Sequence, residues 1–358
     1  MSSSTLPRTV AWGLFCSASW TWCIGMFLPF LMLRDWGWSG FLVFAIPNVI
    51  GCAAFGYALD RARASRLRER MRAWPKLFSL ATIAFQAAFA GWMLPPAVAL
   101  ASVAFGLALA WRRSQAWLLL AIAVSAMTAL CVAKGDAGFA SAIALGGARQ
   151  LNDLGFLAPA IALGFAACPY LDLTFHRALD GSPSRHAFAV FGVAFAATLC
   201  GIALFFDPTT GAPSASPWLI ILWAIQLSFT IGAHARELAD PLDAAARRSI
   251  GLPIALVALA VGSGWLVRAG SGEGSAFGES LYLRFLGLYG LLFPFVLLMR
   301  LKCVPRGWAV GAILLGIPCF EAAFVHRHTV WILPPILLLP FLLMQRWDNT
   351  RAKEATTP

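Results

Sequence analysis

Charge is scarce in this sequence. Asp, Glu, Lys and Arg make up 12% of its 358 residues, whereas a soluble domain carries about 25%. A chain so poor in charge cannot clothe a water-facing surface, which excludes a free soluble domain. Cysteine pairs are missing too: none of the eight cysteines forms a CxxC unit, and nearly all fall inside apolar stretches. They read as small buried hydrophobes, so neither a disulfide framework nor a metal site is implied. Neither a P-loop nor a nucleophile elbow nor a dinucleotide fingerprint occurs. No polar stretch is long enough for an extramembrane domain, so kinase, nuclease or soluble-enzyme chemistry has no place outside an apolar bundle. The first residues, MSSSTLPRTVAWGLF, lack the short apolar core and cleavage site of a signal peptide and lead directly into a hydrophobic run.

What is abundant is apolar surface. Hydrophobic residues account for 60% of the chain, with 27 Phe and 15 Trp, and the mean hydropathy is +0.76. The apolar residues come in runs of about 20, the length that crosses a hydrocarbon core of about 30 Å. Twelve such segments are expected, at 9–33, 40–59, 76–94, 96–111, 115–133, 153–172, 186–206, 217–235, 250–268, 279–300, 307–325 and 330–345. The net charge of +11 then has a topological meaning, because Lys and Arg are retained in cytoplasmic loops. With the N-terminus inside, 21 basic residues fall in inner segments and 5 in outer ones, Arg284 lying within a span. Both termini are therefore expected in the cytoplasm. The densest basic run, loop 60–75, reads as a topology anchor that binds anionic lipid head groups; tethered to the bilayer, it does not suggest nucleic acid. Segment 134–152, apolar from Ala142 to Leu145, lies on the membrane surface or dips into an outer vestibule.

Two spans carry residues that disturb a helix at depth. The first reads CSASWTWCIGMFLPF, where Ser17, Ser19 and Thr21 surround Trp20 and Trp22, followed by Gly25 and Pro29. It is either a Ser-rich helix with a proline kink or a discontinuous helix whose freed carbonyls face a substrate or ion. The sixth span has the same character: Pro159, Gly164, Cys168 and Pro169, then Tyr170 and Asp172. Asp172 is either a snorkelling or Arg177-paired carboxylate or a coupling group. Helices five spans apart run in opposite directions, which is the arithmetic of an inverted repeat. Asn48, Gln86, Gln226, Ser228 and Thr230 are each more readily helix–helix hydrogen bonds than ligands. Glu321, in a late span, is a functional candidate by default, with His326 and His328 as alternative partners. Arg284 is expected near the outer interface, paired with Glu279 or Glu273. The five histidines fall at span ends and read as loop residues.

Several segments resemble the sodium/solute symporter family. SASWTWCIGMFLPFLMLRDWGWSGFLVFAIPNVIGCAAFGYALDRARAS is similar to that family's first core helix pair, and ALAWRRSQAWLLLAIAVSAMTALCVAKG to its fourth-to-fifth connection. LGFAACPYLDLTFHRALDGSPSRHAFAVFGVAF resembles the sixth-to-seventh connection. HARELADPLDAAARRSIGLPIALVALAVG, with Glu237 for the usual Asp, resembles the motif after the eighth helix. GLYGLLFPFVLLMRLKCVPRGWAVGAILLG resembles the tenth helix and the start of the next. The order is right across about residues 10–315, although the family's extra N-terminal helix is missing and loops are trimmed. The resemblance implies a LeuT-like fold: one membrane domain over 1–358, a five-helix repeat over 9–133, its inverted partner over 153–300, and two further helices over 307–345. It also places Ile221 and Leu222 where the family's eighth helix offers hydroxyls to sodium. Alkyl groups cannot ligate the ion, so the sodium site is expected to be degenerate.

The expected function is a secondary transporter that moves a small organic solute by alternating access. Its substrate would meet Ser17, Ser19, Trp20 and Thr21 of the first span, Gln86 of the third, and Cys168, Tyr170 and Asp172 of the sixth, with Trp20 and Tyr170 capping it. Asp172 and Glu321 are the coupling candidates. No metal or cofactor is expected, a homo-oligomer is compatible with the sequence, and a bacterial cytoplasmic (inner) membrane is the expected location. A transporter-like sensor or complex subunit is the alternative. An intramembrane enzyme is weaker, for want of a His, Asp or Glu cluster on facing spans.

Overall fold

The computed structural model describes residues 5–110, 114–135, 147–238, 251–272, 276–335 and 337. Within them the chain is helical apart from turns and one small hairpin, as lipid demands: a helix pairs its own N–H and C=O groups where no water can. Six described helices are long and apolar enough to cross a bilayer, namely Cys23–Ala58, Ala116–Lys134, Asn152–Tyr170, Pro217–Leu238, Ala276–Arg300 and Arg306–Val325. Shorter apolar helices lie at Pro96–Leu109, Ala187–Ala203 and Leu256–Gly270. The protein is an all-α membrane protein.

The elements run α1 (Thr5–Trp20), α2 (Cys23–Ala58), α3 (Arg61–Met71), α4 (Trp74–Met93), α5 (Pro96–Leu109), α6 (Ser114–Lys134), α7 (Asn152–Ala167), α8 (Leu173–Gly181) and α9 (Ala187–Ala203). A hairpin of β1 (Phe206–Asp207) and β2 (Ala212–Pro213), with Phe206 opposite Pro213, follows. Then come α10 (Pro217–Leu238), α11 (Gly251–Ser271), α12 (Ala276–Gly287), α13 (Phe293–Arg300) and α14 (Arg306–Phe320). A π turn, Leu288–Leu292, joins α12 to α13; another, Glu321–Val325, extends α14.

Helix α2 is 36 residues long but is two arms, because Gly37 sits at φ 60°, ψ −151°, a conformation glycine adopts at no steric cost. Trp20 and Asn48 lie on either side of that turn. On one straight rod they would be about 42 Å apart at about 1.5 Å per residue, yet Trp20 Nε1 donates to Asn48 Oδ1 at 2.8 Å. The chain has folded back on itself. Hydrophobic patterning alone reads 9–33 as one span; the structure divides this region at Thr21–Trp22 instead, so that α1 and the first arm of α2 follow one another across a break.

Glycines set the closest helix approaches. Gly91 of α4 and Gly264 of α11 face one another so tightly that a Cβ on either would strike the other helix's backbone. Gly106 of α5 and Gly232 of α10 do the same, each Cβ position lying 2.7 Å from a carbonyl across the interface. Gly13 brings α1 against Val190 of α9, and Gly51 brings the second arm of α2 so near α7 that an added Cβ would lie 3.3 Å from the backbone of Ala166. Small residues that let backbones meet are how helices associate where lipid supplies no hydrophobic contrast.

The basic loop expected over 60–75 is a helix. Asp60 caps α3 by accepting from Arg63 N at 2.7 Å, and Ala64, Leu67 and Met71 form its buried face. Arg68 pairs with Asp180 at 3.0 Å and Arg61 donates to the Leu179 carbonyl at 3.1 Å, binding α3 to α8. Ala142–Leu145, Glu273 and most of the twelfth expected segment lie outside the described residues.

Candidate functional site

Two helix breaks meet at the middle of the bundle. The first is Thr21–Trp22, where Trp22 is extended at φ −81°, ψ 177°. A break leaves backbone groups that must be matched, and here side chains from three other helices do so. Thr230 of α10 donates to the Ala18 carbonyl at 3.2 Å, and Tyr282 of α12 donates to the Cys23 carbonyl at 3.0 Å. Cys23 N donates to Gln86 Oε1 of α4 at 2.8 Å. Locally, Thr21 Oγ1 donates to the Ser17 carbonyl at 2.8 Å and Trp22 Nε1 to the Ser19 carbonyl at 2.7 Å.

The second break is a 3-10 turn, Cys168–Tyr170, between α7 and α8. Asp172 caps α8: its Oδ1 accepts from Thr174 N at 2.7 Å and from Thr174 Oγ1 at 2.8 Å. The other oxygen, Oδ2, has no hydrogen-bond partner among the described residues and faces His234 Nε2 at 3.9 Å. Ser19 Oγ lies 3.1 Å from Thr174 Oγ1, so one hydroxyl contact ties the two breaks together. Cys168 Sγ donates to the Tyr289 carbonyl at 3.4 Å, fastening the second break to the π turn between α12 and α13.

Above the breaks lies a cavity of about 70 Å³. Trp20 and Trp22 form its base, α7 contributes Leu157, Ile161, Gly164 and Phe165, and Tyr289, Phe320 and Phe324 close the far wall. Trp22 packs 5.1 Å from the Tyr289 ring and 5.8 Å from His234. The lining is apolar and aromatic, with Arg327 at one end.

An ionic lid covers that end. Arg34 holds Glu279 through two hydrogen bonds, of 2.7 and 2.9 Å, and Asp35 at 2.9 Å. Arg327 pairs with Asp35 at 3.3 Å and with Glu279. At the other end of the bundle, Arg177 of α8 pairs with Glu237 of α10 on the wall of a wider vestibule of about 510 Å³, which also includes Arg8, Trp12, Arg68 and His176. His176 is buried, with Nε2 3.0 Å from the Tyr170 carbonyl, and burial pushes its pKa down to about 4.

No protein-family model, curated protein or solved structure matches the chain.

The breaks gather most residues singled out in the sequence: Ser17, Ser19, Trp20, Thr21, Gln86, Cys168 and Asp172. Their roles differ from expectation. The Ser19 and Thr21 hydroxyls turn to backbone carbonyls, and Ser17 contributes its carbonyl. Tyr170 does not cap the cavity; it packs 5.4 Å from Phe55 on the far side of the turn, and Trp22 and Tyr289 stand where a capping ring was expected. Glu321 is neither deep nor unmatched: its carboxylate accepts from Arg284 at 3.1 Å, and its side chain is 33% exposed. Asp172 is not paired with Arg177, which takes Glu237 instead. Arg284 turns to Glu321, while Glu279 serves Arg34 and Arg327. Ile221 is 38% exposed on the outside of the bundle, and the α10 residue touching the first break is Thr230, about two and a half helical turns further on. His234 and His176, read as loop residues, are buried. Asn48, Gln226 and Ser228 do make helix–helix hydrogen bonds, to Trp20, Thr128 and Ser102.

Proposed function

We propose that the protein is a secondary transporter with twelve membrane-crossing segments, both termini cytoplasmic, built as a LeuT-like pair of inverted five-helix repeats with two further helices. The observation that carries this reading is the meeting of two interrupted helices at the base of an apolar cavity; counted in twelve segments, those helices stand five spans apart. Irregular backbone at membrane depth survives only where it is buried in protein or lines a cavity, and binding sites of inverted-repeat transporters are built from such helices. The helix pairing supports the repeat. The α4–α11 contact through Gly91 and Gly264 exchanges with the α10–α5 contact through Gly232 and Gly106 when each span is replaced by the one five places away. The α1–α9 contact at Gly13 exchanges with the α7–α2 contact at Gly51 in the same way.

The cavity lining favours a small organic solute with an apolar or aromatic face, and at about 70 Å³ the cavity would have to widen to admit it. Trp20, Trp22 and Tyr289 offer ring faces and edges. Arg327, the cationic group on the wall, is already engaged by Asp35 and Glu279, and a zwitterion placed against the tryptophans would lose its hydration without a matching partner. The ionic lid separates the cavity from the outer face, and the Arg177–Glu237 pair stands on the cytoplasmic side; opening one while the other holds is alternating access in its simplest form. Basic helix α3 would rest on anionic lipid with Ala64, Leu67 and Met71 turned inward.

The test is uptake into proteoliposomes of a panel of small aromatic and hydrophilic solutes, under a sodium gradient, a proton gradient or neither. Accumulation of aromatic solutes is expected; absence of flux for the whole panel removes the transport reading and leaves the sensor or complex subunit. That alternative has one observation in its favour: the backbone freed at the first break is already matched by protein side chains.

A further inference from the structure

Beneath the tryptophan base of the cavity is a second, polar group of side chains with a defect in it. Asp172 Oδ2 and His234 Nε2 are both wholly buried, both lack a hydrogen-bond partner among the described residues, and face one another at 3.9 Å. Their other polar atoms are fixed. Asp172 Oδ1 is held by Thr174, and His234 Nδ1 lies 3.1 Å from Ser79 Oγ of α4. Two unmatched polar atoms left pointing at each other inside a protein cost free energy that one shared hydrogen removes.

We propose that Asp172 and His234 together bind one exchangeable proton, and that this proton is the coupled ion of the transporter. The inference rests on the transport reading for its use but not for the binding itself. Unloaded, Asp172 is a carboxylate and His234 a neutral imidazole donating from Nδ1 to Ser79, with its Nε2 lone pair facing Oδ2. Loading adds one proton from the cytoplasmic vestibule between Nε2 and Oδ2, and the charge of the pair goes from −1 to 0. Glu237, about one turn along α10 from His234 and paired with Arg177, lines that vestibule.

The groups facing the pair leave this proton to it. Cys16 of α1 and Cys52 of α2 lie within electrostatic reach of Asp172. Cys168 at the second break and Tyr289 of the π turn do so as well. Thiols and phenols are uncharged at neutral pH, and α4 presents the Ser79 hydroxyl. Glu237 is the remaining acid nearby, and Arg177 and Arg236 meet its charge.

The location couples the proton to shape. Thr174 donates its hydroxyl hydrogen to Asp172 and lies against Ser19 of the first break. Neutralising Asp172 weakens the charge-assisted bond that orients Thr174, and with it the contact between the two interrupted helices.

Equilibrium proton titration of the purified full-length protein tests this without a solute. Wild type is compared with Asp172→Asn, His234→Gln and the double variant. In each single variant the step at the wild-type midpoint is expected to disappear, the group left behind taking up its proton at a different pH, and the double variant to show neither step, because the wild-type proton belongs to the pair. Losses at separate midpoints that add in the double variant, or no loss at all, overturn the proposal. Infrared pH-difference spectra of wild type serve if a variant does not fold. Carboxylate loss and the imidazole change should share one midpoint, and two midpoints overturn the shared site. Binding is read at equilibrium, so failed uptake in proteoliposomes would sink the transport reading while leaving this result standing, and the converse holds as well.

Discussion

The two breaks solve one problem in opposite ways. At Thr21–Trp22 the freed groups are met by Gln86, Tyr282 and Thr230, long-range partners from three helices. At Cys168–Asp172 the helix that follows is capped locally, Asp172 accepting from its neighbour Thr174, and one carboxylate oxygen is left facing a histidine. The first break is a pinned joint whose geometry is over-determined. The second holds an unresolved charge, and unresolved charge in an apolar interior marks function more often than stability. Substitutions should therefore separate the two: at the first break they cost stability, at the second they cost activity.

The largest expected effect is at the second break. Asp172→Asn keeps an acceptor for Thr174, so its melting temperature in detergent should stay close to wild type while proton-driven accumulation in proteoliposomes is lost. Unchanged accumulation would erase the distinction between the breaks. Next comes Gln86→Leu, which strands the buried Cys23 N–H and should destabilise the fold by about 1–3 kcal/mol, read as a lowered denaturation midpoint. Tyr282→Phe removes one donor to the Cys23 carbonyl and should cost about 1 kcal/mol by the same measurement; a Tyr282→Phe loss larger than that of Gln86→Leu would mean that the joint is held chiefly from α12.

An effect that is absent at neutral pH and develops only in acid concerns His176, beside the second break but outside the spans. Its pKa is lowered to about 4 by burial, against about 6.5 for a free histidine. As pH falls through that window the unfolded chain takes up a proton that the folded chain refuses, so the fold loses stability, whereas above about 6.5 this contribution no longer varies. His176→Gln should flatten the acid side of the stability profile, and an unaltered slope would place the acid sensitivity elsewhere.

How much of this was legible in the sequence follows from where the deciding partners sit. Helical membrane character could be read from the scarcity of charge and the apolar runs, and the second break from Pro169 followed by Asp172 and Thr174, a local cap whose members lie within six residues. The first break could be placed in the right span but not at the right residue. Gly25 and Pro29 drew attention, yet both lie inside intact helix, and the chain parts at Thr21–Trp22 because Gln86, Tyr282 and Thr230 are there to receive it. Partners 63 and 259 residues away leave no local trace. His234 misled for a related reason: it falls at the edge of an apolar run, but α10 continues to Leu238 and neighbouring helices cover its last turns. The same extension carries Thr230, rather than Ile221 or Leu222, to the first break.

The paired glycines have a mechanical consequence. Where α4 meets α11, and α5 meets α10, main chain rests on main chain with no side chain between them to change rotamer. Contacts of that kind have no slack, so these four helices form a stiff chassis. In the proposed transport cycle, opening and closing would then fall to the interrupted members seated in it, α1 with the first arm of α2 and α7 with α8.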